Sequence, residues 1–115
     1  MRDVFAKKAI MLNIYPFILE TLTALRPLAV QIANSDADLA RQLRRASSSI
    51  ALNVAEGQYS RGKNRSCRYH TALGSARETL ACVEVAHAMG YICELPAETV
   101  ARFDRIIGTL MKLVH

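Results

Sequence analysis

Between Leu39 and Gly57 the apolar residues return at Leu39, Leu43, Ala46, Ile50 and Val54, three or four positions apart. That is the period of one helical face, and it leaves no room for the alternation of a strand. Small residues fill much of the remaining circumference, so other helices can approach closely. Ser49, Asn53 and Glu56 fall on a neighbouring face, and Gly57 follows as a stop signal. The stretch reads as a packed helix with a polar seam. A helix with one apolar face must bury it against partners.

The partners are legible on either side. From Pro16 the residues Phe17, Leu19, Leu22, Leu25, Leu28, Ala29 and Ile32 keep helical spacing, with Pro16 suited to a first turn. Pro27 inside this pattern predicts a kink or a division, because proline lacks the amide donor and crowds the preceding turn. Asn34-Ser35-Asp36 is a break, with Asp36 or Ser35 able to cap the second helix. That helix runs from Asp38 to Gly57, or on to Ser60. Tyr59 to Asn64 is a polar, glycine-containing connection. The third helix starts near Asn64, carries Tyr69, Ala72, Leu73, Ala76, Leu80, Val83 and Ala86 inward, and ends near Gly90. After a turn at Cys93 to Pro96, with Pro96 as a first helical residue, Val100, Phe103, Ile106, Ile107, Leu110 and Leu113 define a fourth helix.

Four helices with short connections predict an all-α, up-down-up-down antiparallel four-helix bundle over residues 15–115, preceded by a loosely packed N-terminal extension, residues 1–14. Composition agrees: 51% hydrophobic but only 6% aromatic, with three prolines and five glycines, favours Ala, Leu, Ile and Val packing over many short strands. One hundred and fifteen residues are enough for a core without staples.

Arg2, Lys7 and Lys8 ahead of Ala9–Leu19 imitate a signal peptide, but Asp3, Asn13 and Pro16 interrupt it and no small-residue cleavage site follows. No apolar run reaches the roughly 18–20 residues of a membrane span. Cys67, Cys82 and Cys93 form no CxxC pair. The first two share a helix about 22 Å apart and cannot bond to each other. Reduced thiols and a cytoplasmic location are expected.

The chemistry-bearing residues form no catalytic constellation. Ser47 to Ser49 lack the strained turn that exposes a nucleophile. Glu84 and His87 make one Glu-x-x-His spacing, half of what a di-iron bundle needs. Cys67 and His70 are two potential ligands, short of a closed zinc site. Met89 and Met111 read as core or interface filler. No glycine-rich phosphate loop follows a strand. The expectation is a protein that is not an enzyme and uses no cofactor or metal.

Charge is more telling. From Leu39 to Arg77 there are eight basic residues (Arg41, Arg44, Arg45, Arg61, Lys63, Arg65, Arg68 and Arg77) and one acid, Glu56. The segment therefore carries +7 while the rest carries −2. A basic middle on a nearly neutral scaffold suits an anionic partner, most simply RNA or DNA, or else a solvated face. Arg41, Arg44, Arg45, Arg61, Lys63, Arg65 and Arg68 are the candidate phosphate contacts, with Tyr59 and Tyr69 placed to stack on bases. No recognition-helix motif is present, so binding should follow the backbone and respond to salt. Asn53, Glu56, Ser75, Arg77 and Glu78 are assigned to structure or assembly. A buried Glu56 needs a cation, and Arg77 is the expected partner, within the bundle or across a subunit contact; the alternative is a Glu56 simply solvated at the helix end. The alternative functions are a scaffold docking an acidic protein and, behind it, a small-ligand or metal binder using the bundle interior.

Gln42-Leu43-Arg44-Arg45-Ala46-Ser47-x-Ser49-Ile50-x-x-Asn53-x-Ala55-Glu56-Gly57 resembles the signature of the bacterial four-helix-bundle proteins known as ribosomal-RNA intervening-sequence proteins. Ala72-Leu73-Gly74-Ser75-Ala76-Arg77-Glu78-Thr79-Leu80 resembles their second motif. The resemblance spans about Leu39 to the C-terminus. It implies an up-down bundle that assembles into homo-oligomeric rings, typically pentamers, with no catalytic residues. A related branch, the accessory variability determinant of diversity-generating retroelements, implies nucleic acid and a reverse transcriptase as partners.

Overall fold

The structure is a computed structural model that describes the backbone of residues 2–114 and the side chains of residues 14–114. Four helices follow one another: α1 (Arg2–Ser35), α2 (Ala37–Tyr59), α3 (Gly62–Ala88) and α4 (Ala97–Leu113). No strand occurs among the described residues. Each consecutive pair is packed side by side, and α4 closes the ring against α1. The result is the four-helix bundle expected, 49 × 23 × 20 Å.

The links are shorter than the sequence suggests. Asp36 alone joins α1 to α2. Its side chain accepts a 2.9 Å hydrogen bond from the Leu39 amide, the N-cap that satisfies one of the helix's free donors. Ser60 and Arg61 join α2 to α3, and Gly62 enters α3 at φ +58°, a conformation in which glycine avoids the Cβ penalty. Gly90, at φ +79°, ends α3 with Tyr91 N–H to Ala86 C=O and Gly90 N–H to His87 C=O hydrogen bonds of 2.8 and 3.0 Å. That pattern is a Schellman motif. Pro96 is the N-cap of α4, one position before the expected first-turn place.

Two expectations for the first helix need correction. Pro16 does not open it, and Pro27 does not divide it: both lie inside one helix that begins at Arg2. Leu25 and Ala29, on either side of Pro27, are both buried, so the packed face is continuous past the proline. The loose packing expected of residues 1–14 falls on side chains outside those described, except that Ile14 is buried.

The core has two connected regions. One gathers Ile14, Ile18, Leu25, Ile50, Val54, Tyr69, Leu73, Phe103, Ile106 and Leu110 from all four helices. The other, built from α1, α2, α3 and the turn before α4, contains Ile32, Leu39, Leu43, Cys82, Val83 and Ile92. Burial pushes the Cys82 thiol pKa up, and the charge of Glu78 adds to that. All three cysteines are free thiols, with Cys67 and Cys93 exposed. Met89 and Met111 are exposed rather than core.

Candidate nucleic-acid interface

Seven of the eight basic residues from Leu39 to Arg77 lie on α2 or α3, and the eighth, Arg61, lies in the link between them. Small buried residues, Ala46 and Gly57 on α2 with Ala72 and Ala76 on α3, let the two backbones close on each other. Gly57 does not stop α2, which continues to Tyr59. Instead it makes room for the ring of Tyr69: a Cβ at position 57 would fall 2.9 Å from both Cδ1 and Cζ of that ring. Tyr69 is 1% exposed, so it is a core residue and not the base-stacking platform expected of it. Burial raises its phenol pKa, an effect the nearby Arg65 charge partly offsets.

Along the edge of this pair runs the polar seam. Ser75 Oγ donates to Ser49 Oγ at 2.8 Å. Asn53 Nδ2 donates to both the Ser49 carbonyl, at 2.9 Å, and Ser49 Oγ, at 3.0 Å. Arg68 then reaches across from α3, with Nη2 2.9 Å from Glu56 Oε2 and Nη1 3.5 Å from Asn53 Oδ1. The partner of Glu56 within the chain is therefore Arg68 and not Arg77. Glu56 is also not buried; its side chain is 57% exposed. Arg77 is exposed on α3 and makes no ion pair among the described residues. Glu78 is exposed too and lines a shallow α2–α3 groove with Gln42, Arg45, Ser49 and Ser75.

The candidate phosphate contacts divide into two kinds. Three are engaged: Arg41 with Asp38 at 2.9 Å, Arg68 with Glu56, and Arg65, whose Nε donates to the Ser60 carbonyl at 2.9 Å. Arg44, Arg45, Arg61 and Lys63 are exposed, and none makes an ion pair or a side-chain hydrogen bond among the described residues. On α2, Arg41, Arg45, Ser48, Leu52 and Tyr59 recur at helical spacing and form one outward face, with Leu52 65% and Tyr59 89% exposed. At 1.5 Å per residue it extends about 27 Å from Arg41 to Tyr59.

A second surface lies between α1 and α2. A groove of about 410 Å³ has Leu22, Leu25 and Leu43 in its lining together with Arg26, Arg44 and Ser48. The pattern of Leu and Arg on α1 did not suggest this groove, because it needs Arg44 from α2 to complete it.

His70, His87 and Glu84 are exposed on α3. Among the described residues no three His, Cys, Asp or Glu side chains gather at metal-binding distance, and no helix is long and apolar enough to cross a membrane.

Fold and surface together define an all-α four-helix bundle with an arginine-rich α2–α3 edge. A family model described as 23S rRNA-intervening sequence protein matches residues 26–113, which takes in the end of α1 and all of α2, α3 and α4. The chain belongs to that family. The match begins earlier than the two motifs in α2 and α3 indicated and includes Pro27. Comparison with curated proteins and with solved structures returns no match.

Proposed function

We propose that this protein is a non-catalytic, homo-oligomeric bundle that binds RNA or an RNA–protein complex through the phosphate backbone. The observation that carries the reading is the state of Arg44, Arg45, Arg61 and Lys63. All four are exposed and unpaired, in a segment where the one acid, Glu56, is already held by Arg68. Cations at a surface with no carboxylate bonded to them are suited to phosphate contact, and the three guanidinium groups can make it bidentate. Assembly, with the pentamer as its form, rests on the family resemblance. A reverse transcriptase or another protein as a further partner rests on the resemblance alone.

The test is binding of labelled RNA and DNA across a salt series. The expected result is affinity that falls linearly on a log–log plot with salt. No binding at low salt, or a flat response, rejects the reading. Light scattering gives the assembly state, and a monomer at micromolar concentration rejects the oligomer.

The α1–α2 groove favours one second reading, a scaffold that docks an acidic protein. Its Leu22, Leu25 and Leu43 lining with Arg26 and Arg44 fits an amphipathic helix carrying carboxylates. Substitution of Arg26 separates the two, since Arg26 lies outside the α2–α3 edge.

A further inference from the structure

We infer that Tyr59 is a stacking platform for an unpaired base, so that the α2–α3 corner takes single-stranded in preference to duplex nucleic acid. This rests on the proposed nucleic-acid binding and adds to it the form of the ligand.

Tyr59 is 89% exposed, more than any other large hydrophobic side chain among the described residues. It sits in the last turn of α2, where the chain reverses, at the far end of the outward face that begins at Arg41. The corner beneath it is held firmly. The Ser60 amide donates to the Gly57 carbonyl at 3.2 Å, Ser60 Oγ donates to the Glu56 carbonyl at 2.9 Å, and Arg65 Nε donates to the Ser60 carbonyl at 2.9 Å. A ring mounted on a braced turn loses little backbone freedom when a base lies on it. Arg61 and Lys63, two and four residues on, are exposed and unpaired, and supply cations for the flanking phosphates.

The chemistry selects the form of the strand. In a duplex the base faces are covered by their neighbours, and only phosphates and groove edges meet the protein. An aromatic ring gains a partner only where a base is unstacked, in a loop, a bulge or a free strand. Tyr69, the other aromatic in this region, is buried beneath Gly57 and cannot take that part. Stacking on Tyr59 therefore adds a preference for single strands that phosphate contacts, made alike to both forms, do not provide.

The experiment measures the anisotropy of a labelled single-stranded RNA, and of the same strand annealed to its complement, with the full chain and with Tyr59→Ala, Tyr59→Phe and Tyr59→Trp. The unaltered protein is expected to prefer the single strand. Tyr59→Ala should weaken single-strand binding roughly 5- to 100-fold and leave the duplex affinity unchanged, with Phe or Trp restoring the preference. Equal losses on both forms, no loss on either, or a change in oligomeric mass with Tyr59→Ala overturns the inference. If the unaltered protein binds both forms equally with a normal salt slope, this inference fails and the phosphate-binding reading stands. If it binds neither form at any salt, both fail.

Discussion

Gly57 lies directly against the ring of Tyr69, close enough that any Cβ at position 57 would overlap it. The contact brings α2 and α3 together at the end where they are joined. Ordinary helix propensity favours alanine over glycine by about 1 kcal/mol inside a helix. Here the sign reverses. The added methyl must displace a buried ring, and overpacking of this kind costs about 1–3 kcal/mol. Gly57→Ala should therefore lower the urea midpoint. Combined with Tyr69→Leu it should cost less than the sum of the two single changes, because the ring it collides with is gone.

Tyr69 also ties stability to alkaline pH. Burial raises its pKa above the ordinary 10.0 in the folded state. From about pH 10 upward the unfolded chain releases this proton first, so the folded state loses stability as pH rises through the folded-state pKa; below 10 the full contribution is present. The thermal midpoint should fall in that window and fall less steeply in Tyr69→Phe. An equal slope in both proteins removes Tyr69 as the cause.

The polar seam contains bonds of unequal worth. Arg68–Glu56 is 2.9 Å long but its side chains are 48% and 57% exposed, and exposed pairs contribute about 0–1 kcal/mol. Ser49–Ser75 is partly buried, and a hydrogen bond there contributes about 1 kcal/mol with a further desolvation cost if one partner is left alone. Glu56→Gln should thus shift chemical denaturation little, and the shift should shrink in high salt. Ser49→Val should destabilise more, independently of salt, since it leaves the Ser75 hydroxyl without its acceptor and removes one of the two hydrogen bonds Asn53 makes to residue 49.

The same seam explains what the sequence disclosed and what it hid. The inward faces of α2 and α3 follow from periodicity alone, since Leu39, Leu43, Ile50, Val54, Tyr69 and Ala76 are all buried as spaced. The partner of Glu56 was missed because the α2–α3 link has two residues, not six. In an antiparallel pair with so short a link, Ser49 and Ser75 lie thirteen residues either side of Gly62, and Glu56 and Arg68 lie six. Arg77 falls too far along α3 to meet Glu56. In α1 the pattern misplaced Leu19, which is 41% exposed, and passed over Ile18 and Thr21, which are buried. A threonine reads as polar, yet the Thr21 hydroxyl donates to the Phe17 carbonyl at 2.8 Å and lies 3.1 Å from Arg102 Nη1, so it is satisfied inside. Arg102 and Arg105 lie over the Phe17 ring at 4.8 and 4.1 Å, a link between α4 and α1 that spacing cannot reveal.

Asp36 has two tasks at the opposite end of the bundle. It caps α2 through Leu39 N–H, and its carboxylate charge acts on Tyr91 in the turn before α4. Loss of solvent, followed by the nearby charge of Asp36, raises the Tyr91 pKa. Asp36→Ala should cost about 0.5–2 kcal/mol from the cap alone. Asp36→Asn should retain most of the cap while removing the charge. Ultraviolet titration of the tyrosines should then show Tyr91 ionising at lower pH in both variants, and an unchanged curve would place Tyr91 away from Asp36 in solution.

The two kinds of arginine make the last prediction. A carboxylate already beside an arginine neutralises part of its charge and repels an incoming phosphate, whereas an unpaired arginine has no such competitor. Arg41 and Arg68 belong to the first kind, Arg44 and Arg45 to the second. Alanine at Arg44 or Arg45 should weaken RNA binding more than alanine at Arg41 or Arg68. Each Arg44 or Arg45 change should also reduce the slope of log affinity against log salt by roughly 0.7–0.9, the value for one lost phosphate contact. Releasing the competitor should act in the opposite direction: Asp38→Asn frees Arg41, at an exposed pair with little structural role, and should strengthen binding and steepen the slope. If all four arginine variants bind alike, the carboxylate pairs do not govern which residues reach the nucleic acid.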